Sequence, residues 1–281
     1  MTDLRKWFSL VRFSHTLFAL PFALAGLLVA SSGRPGWKPL LLVLACMATA
    51  RNAAMAFNRF IDRDHDAANP RTAVRDIPAG RISPRGALLF VVVNSLLFVG
   101  LCGLLNSLCL MLSPVALVLI LGYSLAKRFT ALCHLWLGLS IGISPLAAGI
   151  AFSGHFLAVP AWLGAALWAW LAGFDIVYAT QDEGFDRDRG LHSIPALLGR
   201  RRALGVAALF HAMTIAGLIG AGVAAHWGVV WWASVVACGG LLLWTHLGRV
   251  DDDLSMQSGF FRANILLSFV VLVGVAISVW F

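Results

Sequence analysis

The sequence predicts an all-α integral membrane protein, a bundle of nine transmembrane helices around a central cavity open to the cytoplasmic side. Three observations lead there. The 281 residues are 60% hydrophobic and 12% charged, whereas a soluble domain is about 45–50% apolar and about 25% charged. Nine apolar runs recur along the chain, several near the ~20 residues needed to cross the hydrocarbon. The charges are also sorted. Of 21 Lys and Arg, all but Arg34 and Lys38 fall in segments that alternate to one side, which the positive-inside rule reads as cytoplasmic. The formal charge of +8 is therefore a topology signal and does not point to nucleic acid.

Residues 1–15 read as an amphipathic segment lying at the cytoplasmic interface, with Arg5, Lys6 and Arg12 beside Trp7, Phe8 and Phe13. No Ala-x-Ala pattern follows the first apolar run, so no removable signal peptide is expected. The first span runs from about Thr16 to Ala30 and turns at Ser31–Gly36; a second returns from Pro39 to about Phe57. That helix is expected to continue through Asn58–Asp66 and to end at Asn69-Pro70, because the residue before proline is pushed out of the helical region. Further spans cover about Gly86–Leu104, Ser107–Leu125, Leu132–Phe152, Pro160–Thr180, Ala203–Ala224, Val229–Leu247 and Ala263–Phe281. The short links Leu105-Asn106 and Ala225–Gly228 imply antiparallel neighbours. Connections near 59–85, 126–131, 181–202 and 248–262 collect the basic residues, so the N-terminus is expected in the cytoplasm and the C-terminus outside. The whole chain reads as one polytopic domain, with 58–85 and 181–202 as cytoplasmic motif loops. Cys46, Cys102, Cys109, Cys133 and Cys238 sit in or beside apolar runs with no zinc-type spacing and read as small buried hydrophobes.

The chemistry concentrates in Asn58-Arg59-Phe60-Ile61-Asp62-Arg63-Asp64-His65-Asp66. Asn58, Asp62 and Asp66 are spaced i, i+4, i+8 and share one face of a helix, and Arg51, two turns back, falls near the same stripe. A second acidic group, Asp182-Glu183-Gly184-Phe185-Asp186, repeats the spacing, and the two are expected to face each other. Acids at a membrane edge are costly without partners or a role. Carboxylate and amide oxygens so spaced suit Mg²⁺, which is commonly shared between one or two carboxylates and substrate phosphates. A diphosphate substrate follows, with Arg71, Arg75, Lys127 and Arg128 as its cationic partners. Asp175, two turns before Asp182, either reaches deeper to take a proton from an acceptor or neutralises Arg51. Asp251-Asp252-Asp253 has Ser255 where a DDxxD box needs Asp, and reads as a solvated run. His192 reads as interfacial, and the other histidines, His15 and His211 included, as structural.

Asn58-xxx-Asp62-xxx-Asp66, then Arg71-Thr72-xx-Arg75 and Pro78-Ala79-Gly80, resembles the first aspartate-rich motif of UbiA-type membrane prenyltransferases. Tyr123-xxx-Lys127-Arg128 resembles their Tyr-xxx-Lys element, and Asp175-xx-Tyr178-xxx-Asp182-xxx-Asp186 their second motif. The elements stand in the family's order and span nearly the whole chain. The resemblance implies transfer of a polyprenyl group from its diphosphate to an acceptor, often aromatic, in quinone, haem or lipid biosynthesis. It implies Mg²⁺ on Asn58, Asp62, Asp66, Asp182 and Asp186, with Arg71, Lys127 and Arg75 on phosphate. Arg75-Asp76-Ile77-Pro78 departs from the Arg-Pro-Leu-Pro of many relatives and leaves Asp76 without a role. Ala56-Phe57-Asn58-Arg59 and Gly190-Leu191-His192-Ser193-Ile194-Pro195 look closest to the 4-hydroxybenzoate polyprenyltransferase branch and its menaquinone relatives of the futalosine route. The acceptor expected is then a hydroxylated benzoate or naphthoate, its carboxylate met by Arg12 or Arg75, with Arg51 and Tyr178 as further acceptor-binding candidates. A bacterial cytoplasmic membrane is the expected location, and no obligate protein partner is evident. A transporter is the rival from another class, although its polar groups belong near the midplane on broken helices. A phosphatidyltransferase of the CDP-alcohol type would need an Asp-Gly-xx-Ala-Arg element, which this chain lacks.

Overall fold

The computed structural model describes residues 16–69, 72–247 and 253–281, with the backbone only for residues 16, 17 and 253–258. The interfacial segment 1–15, Arg12 with it, lies outside the described residues, as do Arg71 and the side chains of Asp251-Asp252-Asp253. Among the described residues every regular element is helical: α1 Thr16–Ala30, α2 Trp37–Ile61, α3 Arg63–Ala68, α4 Pro84–Leu105, α5 Ser107–Ala126, α6 Cys133–Gly142 and α7 Ser144–Ser153. There follow α8 Ala158–Ala179, α9 Glu183–Asp188, α10 Ile194–Leu198, α11 Arg200–Ala225, α12 Val229–Leu247 and α13 Asp253–Trp280. Counting α6 with α7 and α8 with α9, eight helices are long and apolar enough to cross a membrane. The protein is integral to a membrane. The ninth expected span is α1, apolar but 15 residues long, about 22 Å of helix against ~30 Å of hydrocarbon.

Local chemistry sets several boundaries. Ser83 caps α4 by accepting the Gly86 N–H at 3.1 Å, with Pro84 at the first helical position. Asn106, in the predicted two-residue turn, caps α5 through Cys109 N–H (2.8 Å) and donates to the Ile150 carbonyl (2.9 Å), pinning the α4–α5 hairpin to α7. The run expected as one helix over Leu132–Phe152 breaks instead at Ile143. Pro145 is the cause: it has no N–H to give to residue 141, and its ring crowds the preceding turn. The first motif also bends, at Asp62 (φ −89°, ψ 6°). Its hydrogen bonds still run through, from Asp62 N–H to Asn58 O at 2.9 Å and Asp66 N–H to Asp62 O at 2.7 Å, so the i, i+4, i+8 stripe survives the bend. Asn69 is extended (φ −101°, ψ 117°) before Pro70, as expected.

The axis of the bundle is α8, almost wholly buried along its second half. Against it pack α11 and α6 most closely, with α1 and α7 on another flank; α2, α4 and α5 form the opposite wall. The approach of α6 depends on Gly138 and Gly142. A Cβ on Gly138 would stand 2.6 Å from the Trp168 carbonyl, and one on Gly142 2.8 Å from the Trp168 side chain. Glycine lets these backbones meet and brings the side chains flanking them into reach. The five cysteines are free, four of them buried, as the sequence predicts. His211 hydrogen-bonds His246 at 2.7 Å, tying α11 to α12.

Candidate active site

Both acidic groups line one cavity of about 310 Å³. Asn58, Asp62 and Asp66 reach it from α2 and α3; Asp182 and Asp186 reach it from the turn and helix beyond α8. Lys127 and Arg128 enter from the end of α5 between them. A larger cavity, about 540 Å³, lies at the other ends of α1, α11 and α13, but its wall holds no acid and no Lys or Arg. Charge therefore singles out the smaller one.

The acids meet their cations in pairs. Arg75 hydrogen-bonds Asp66 Oδ1 at 2.5 Å, with Arg59 at 3.9 Å from Oδ2. Arg128 lies 3.5 Å from Asp62 Oδ1 and donates to the Ile61 carbonyl at 2.7 Å. Lys127 Nζ is 2.6 Å from Asp186 Oδ1. Asn58 Nδ2 donates to Asp62 Oδ2 at 3.0 Å. Burial, and next the charge of Asp66, push the Asp62 carboxyl above its ordinary range, opposed by Arg128. A cation placed there would relieve both.

Asp186 is 0% exposed. Among the described residues neither of its oxygens finds a hydrogen-bond donor in good geometry, Lys127 approaching off-axis, and Asp66 Oδ2 is in the same position. Buried carboxylate oxygens without donors fit a hard cation. No three His, Cys, Asp or Glu side chains among the described residues come close enough to enclose an ion by themselves. The donor set thus suits Mg²⁺ that completes its shell with water and substrate phosphate.

The loop after α3 supplies Arg75 and is held by contacts the motif did not announce. Ile77 and Ile82 anchor it in an apolar cluster with Ala56 of α2 and Val91 of α4. Asp76 is buried and accepts from Arg81 Nε at 2.8 Å, while its carbonyl accepts the Arg81 and Ile82 N–H groups. Asp76 is a loop clamp, and its place in the sequence departure is explained.

Deeper along α8, Asp175 hydrogen-bonds His134 Nδ1 at 2.6 Å. The alternative in which Asp175 neutralises Arg51 gives way to this pair. Arg51 itself is half-buried on α2 and does not line the cavity. The chain's two tyrosines, Tyr123 and Tyr178, both line the cavity, and Tyr178 stacks on Phe174 with centroids 6.5 Å apart. His134 is the cavity residue that sequence reasoning missed. The available signal was a polar ring inside an apolar run, opposite the one acid inside another.

The sequence pattern of the UbiA prenyltransferase family matches residues 19–275. This chain belongs to the UbiA prenyltransferase family. It is a prenyltransferase, and the transporter and phosphatidyltransferase readings fall away. The 4-hydroxybenzoate octaprenyltransferase of Shewanella sediminis is 34% identical over 223 residues, 79% of this chain and 77% of that one. The corresponding enzyme of Shewanella woodyi is 32% identical over 229 residues, 82% of this chain and 80% of that one. Among solved structures, the apo UbiA homolog from Aeropyrum pernix superposes with a TM-score of 0.82 at 33% identity, covering 94% of this chain and 97% of that one. A UbiA homolog from Archaeoglobus fulgidus bound to GPP and Mg²⁺ superposes with a TM-score of 0.72 over 95% of this chain and 99% of that one. At 20% identity it speaks for the fold. The UbiA fold accounts for the arrangement found here, two acidic arms meeting at one end of a helical bundle.

Proposed function

We propose that this UbiA protein transfers a polyprenyl group from polyprenyl diphosphate to a hydroxylated aromatic acid, 4-hydroxybenzoate or a related hydroxynaphthoate, in quinone biosynthesis. The observation that carries the reading is the convergence of two acidic arms, with donor-poor buried carboxylate oxygens, on a cavity that also holds Arg75, Lys127 and Arg128. Relatives named 4-hydroxybenzoate octaprenyltransferase at 32–34% identity support the acceptor class. Bound Mg²⁺, on Asn58, Asp62, Asp66, Asp182 and Asp186, supplies neutralisation of the diphosphate's charge.

The chain's own residues do the rest. Arg75, Lys127 and Arg128, joined by Arg71, hold phosphate oxygens and stabilise the charge that develops as the allylic C–O bond breaks and its electron pair leaves on diphosphate. Tyr123 and Tyr178, both in the cavity wall, supply aromatic rings that favour cationic charge on the allylic carbon and help keep water from it. The acceptor ring lies between the diphosphate end and Asp175, with Tyr178 and Arg12 as acceptor contacts. A ring carbon bonds the allyl group, and Asp175 takes the proton that carbon releases. The reading counts α1 as a ninth span and takes the N-terminus and the cavity mouth to face the cytoplasm of a bacterium; the basic loops support it. There the diphosphate head arrives from water and the tail from the bilayer.

Membranes containing the protein, given a polyprenyl diphosphate and a panel of hydroxylated benzoates and naphthoates with and without Mg²⁺, test the proposal by mass spectrometry. A Mg²⁺-dependent prenylated aromatic product, lost in Asp62→Ala, is the expected result. Products formed equally without divalent metal, or only from haem or lipid acceptors, would overturn it.

A further inference from the structure

His134 belongs to none of the motifs, yet the structure fixes its tautomer. Its Nε2 accepts the backbone N–H of Ile194 at 3.2 Å. In the neutral ring that leaves the single proton on Nδ1, donated to Asp175 Oδ2 at 2.6 Å. The imidazole is 2% exposed and the Asp175 carboxylate 30%. The ring is thus nearly buried in the cavity wall, while the carboxylate is open to the cavity. Asp175 lies seven residues before Asp182, roughly 10 Å along the helix, which leaves the width of an aromatic ring between the two acids.

The pair is held from both sides. Gly138, one turn after His134, lets α6 touch the backbone of α8. The segment that supplies the Ile194 N–H is fastened independently, by the His192 N–H on the Lys127 carbonyl at 2.8 Å and by Ser193, 0% exposed, accepting the Ala196 N–H at 3.3 Å. A carboxylate beside apolar helices is held in orientation by the donor that faces it. His134 is that donor, delivered in one orientation.

We propose that His134 is a positioning residue for proton removal from the acceptor: it holds one carboxylate oxygen of Asp175 in a hydrogen bond and so aims the other at the ring carbon being prenylated. This rests on the prenyl-transfer reading above. The step balances within the substrates and the chain. The allylic C–O bond breaks with its electron pair going to diphosphate, the ring carbon forms the new C–C bond, and the same carbon's proton passes to Asp175. Its C–H pair restores the aromatic ring. His134 donates to the other oxygen throughout and is itself neither protonated nor deprotonated.

The test is a kinetic isotope effect with Mg²⁺, polyprenyl diphosphate and an acceptor deuterated at the carbon that is prenylated. In the wild type proton loss follows bond formation quickly and the isotope effect on kcat stays near about 1, whereas with a misaimed base it becomes limiting. His134→Leu is expected to lower kcat by about 10- to 100-fold, leave KM for the diphosphate unchanged, and raise the isotope effect above about 2. Asp175→Asn is expected to share that signature. His134→Asn, whose amide N–H stands near the Nδ1 position, is expected to restore most of the rate and return the isotope effect towards the wild-type value. A folded His134→Leu with wild-type kcat would overturn the inference. So would a slow variant whose isotope effect stays near that of the wild type, since that marks a structural role. If His134→Leu fails to fold, the isotope effect of Asp175→Asn and the rescue by His134→Asn decide the matter alone. A wild type that binds diphosphate but makes no prenylated aromatic product would defeat the prenyl-transfer reading first, an outcome distinct from product formation insensitive to His134.

Discussion

Asp186→Asn separates what the site does for function from what it does for stability. Asp186 is wholly buried with both oxygens short of donors among the described residues, and the Lys127 ammonium 2.6 Å away is one-third exposed. A buried polar group left unsatisfied costs about 1–3 kcal/mol, more when charged, and a single off-axis ammonium recovers part of that. Substitution by the isosteric amide removes the buried charge and leaves Lys127 free to turn towards water. The ligand-free protein is expected to keep its stability or gain about 1 kcal/mol, against the 3–5 kcal/mol loss that breaking a well-made buried pair usually brings. Turnover is expected to fall by about 10²–10³-fold, the usual scale for losing one preorganised charge contact to the transition state. Thermal unfolding in detergent, with and without Mg²⁺ and a non-hydrolysable diphosphate, measures both sides. Wild type should be stabilised by the pair of ligands, by about 2.7 kcal/mol at a hundredfold excess over Kd, and the variant should not. A ligand-free variant destabilised by more than about 2 kcal/mol, beyond an ordinary unsatisfied group, would refute the reasoning, as would ligand-induced stabilisation equal to that of the wild type.

Three other changes follow from particular contacts. Arg128→Ala breaks a half-exposed pair with Asp62, so stability should change by less than about 1 kcal/mol, while KM for the diphosphate rises several-fold in steady-state assays. Gly138→Ala drives a methyl into the Trp168 carbonyl. Overpacking of this kind costs about 1–3 kcal/mol, and because it displaces His134 from Asp175 it should lower kcat more than it raises KM. Asp76→Ala releases the Arg81 clamp; weakened diphosphate binding by calorimetry with kcat largely kept is the expected outcome, and an unchanged Kd would show that Arg75 needs no clamp.

Much of this arrangement is legible in the sequence because its signals are local. The stripe of Asn58, Asp62 and Asp66 follows from helical spacing, and the hydrogen-bond ladder preserves it through the bend at Asp62. The turn at Leu105-Asn106 announces itself by an amide that caps the next helix. What escaped is what depends on partners distant in the chain. His134 gains meaning only from Asp175, 41 residues away, and Ile194, 60 residues away, and no periodicity of its own helix indicates either. Arg51 shares the azimuth of the stripe, but two turns of helix carry it about 10 Å further along α2, and it is not among the residues that line the cavity. The break at Ile143 was readable from Pro145, but a proline in the middle of an apolar run of spanning length is easily absorbed into a single helix, since membrane helices tolerate proline.

The pairing of acids with bases also bears on how a polyanion enters so polar a cavity at the edge of a membrane. Lys127 and Arg128 are consecutive residues at the end of α5, where the backbone is still helical (φ −59°, ψ −17° at Lys127). Neighbouring side chains there diverge by about 100°, and each turns to a different acidic arm, Lys127 to Asp186 and Arg128 to Asp62. The two arms are thus bridged by one short segment, and each of these two carboxylates has a cation within reach. On the proposed function, diphosphate and its counter-cation would exchange both sets of partners together: the carboxylates would hold the metal, and Lys and Arg the phosphate. Neither charge has to be drawn out of water into an unprepared interior, because the protein has already desolvated its own half of each new pair during folding. On this argument the ion pairs are placeholders that keep the binding groups oriented, and removing either partner should impair ligand binding more than it impairs the fold.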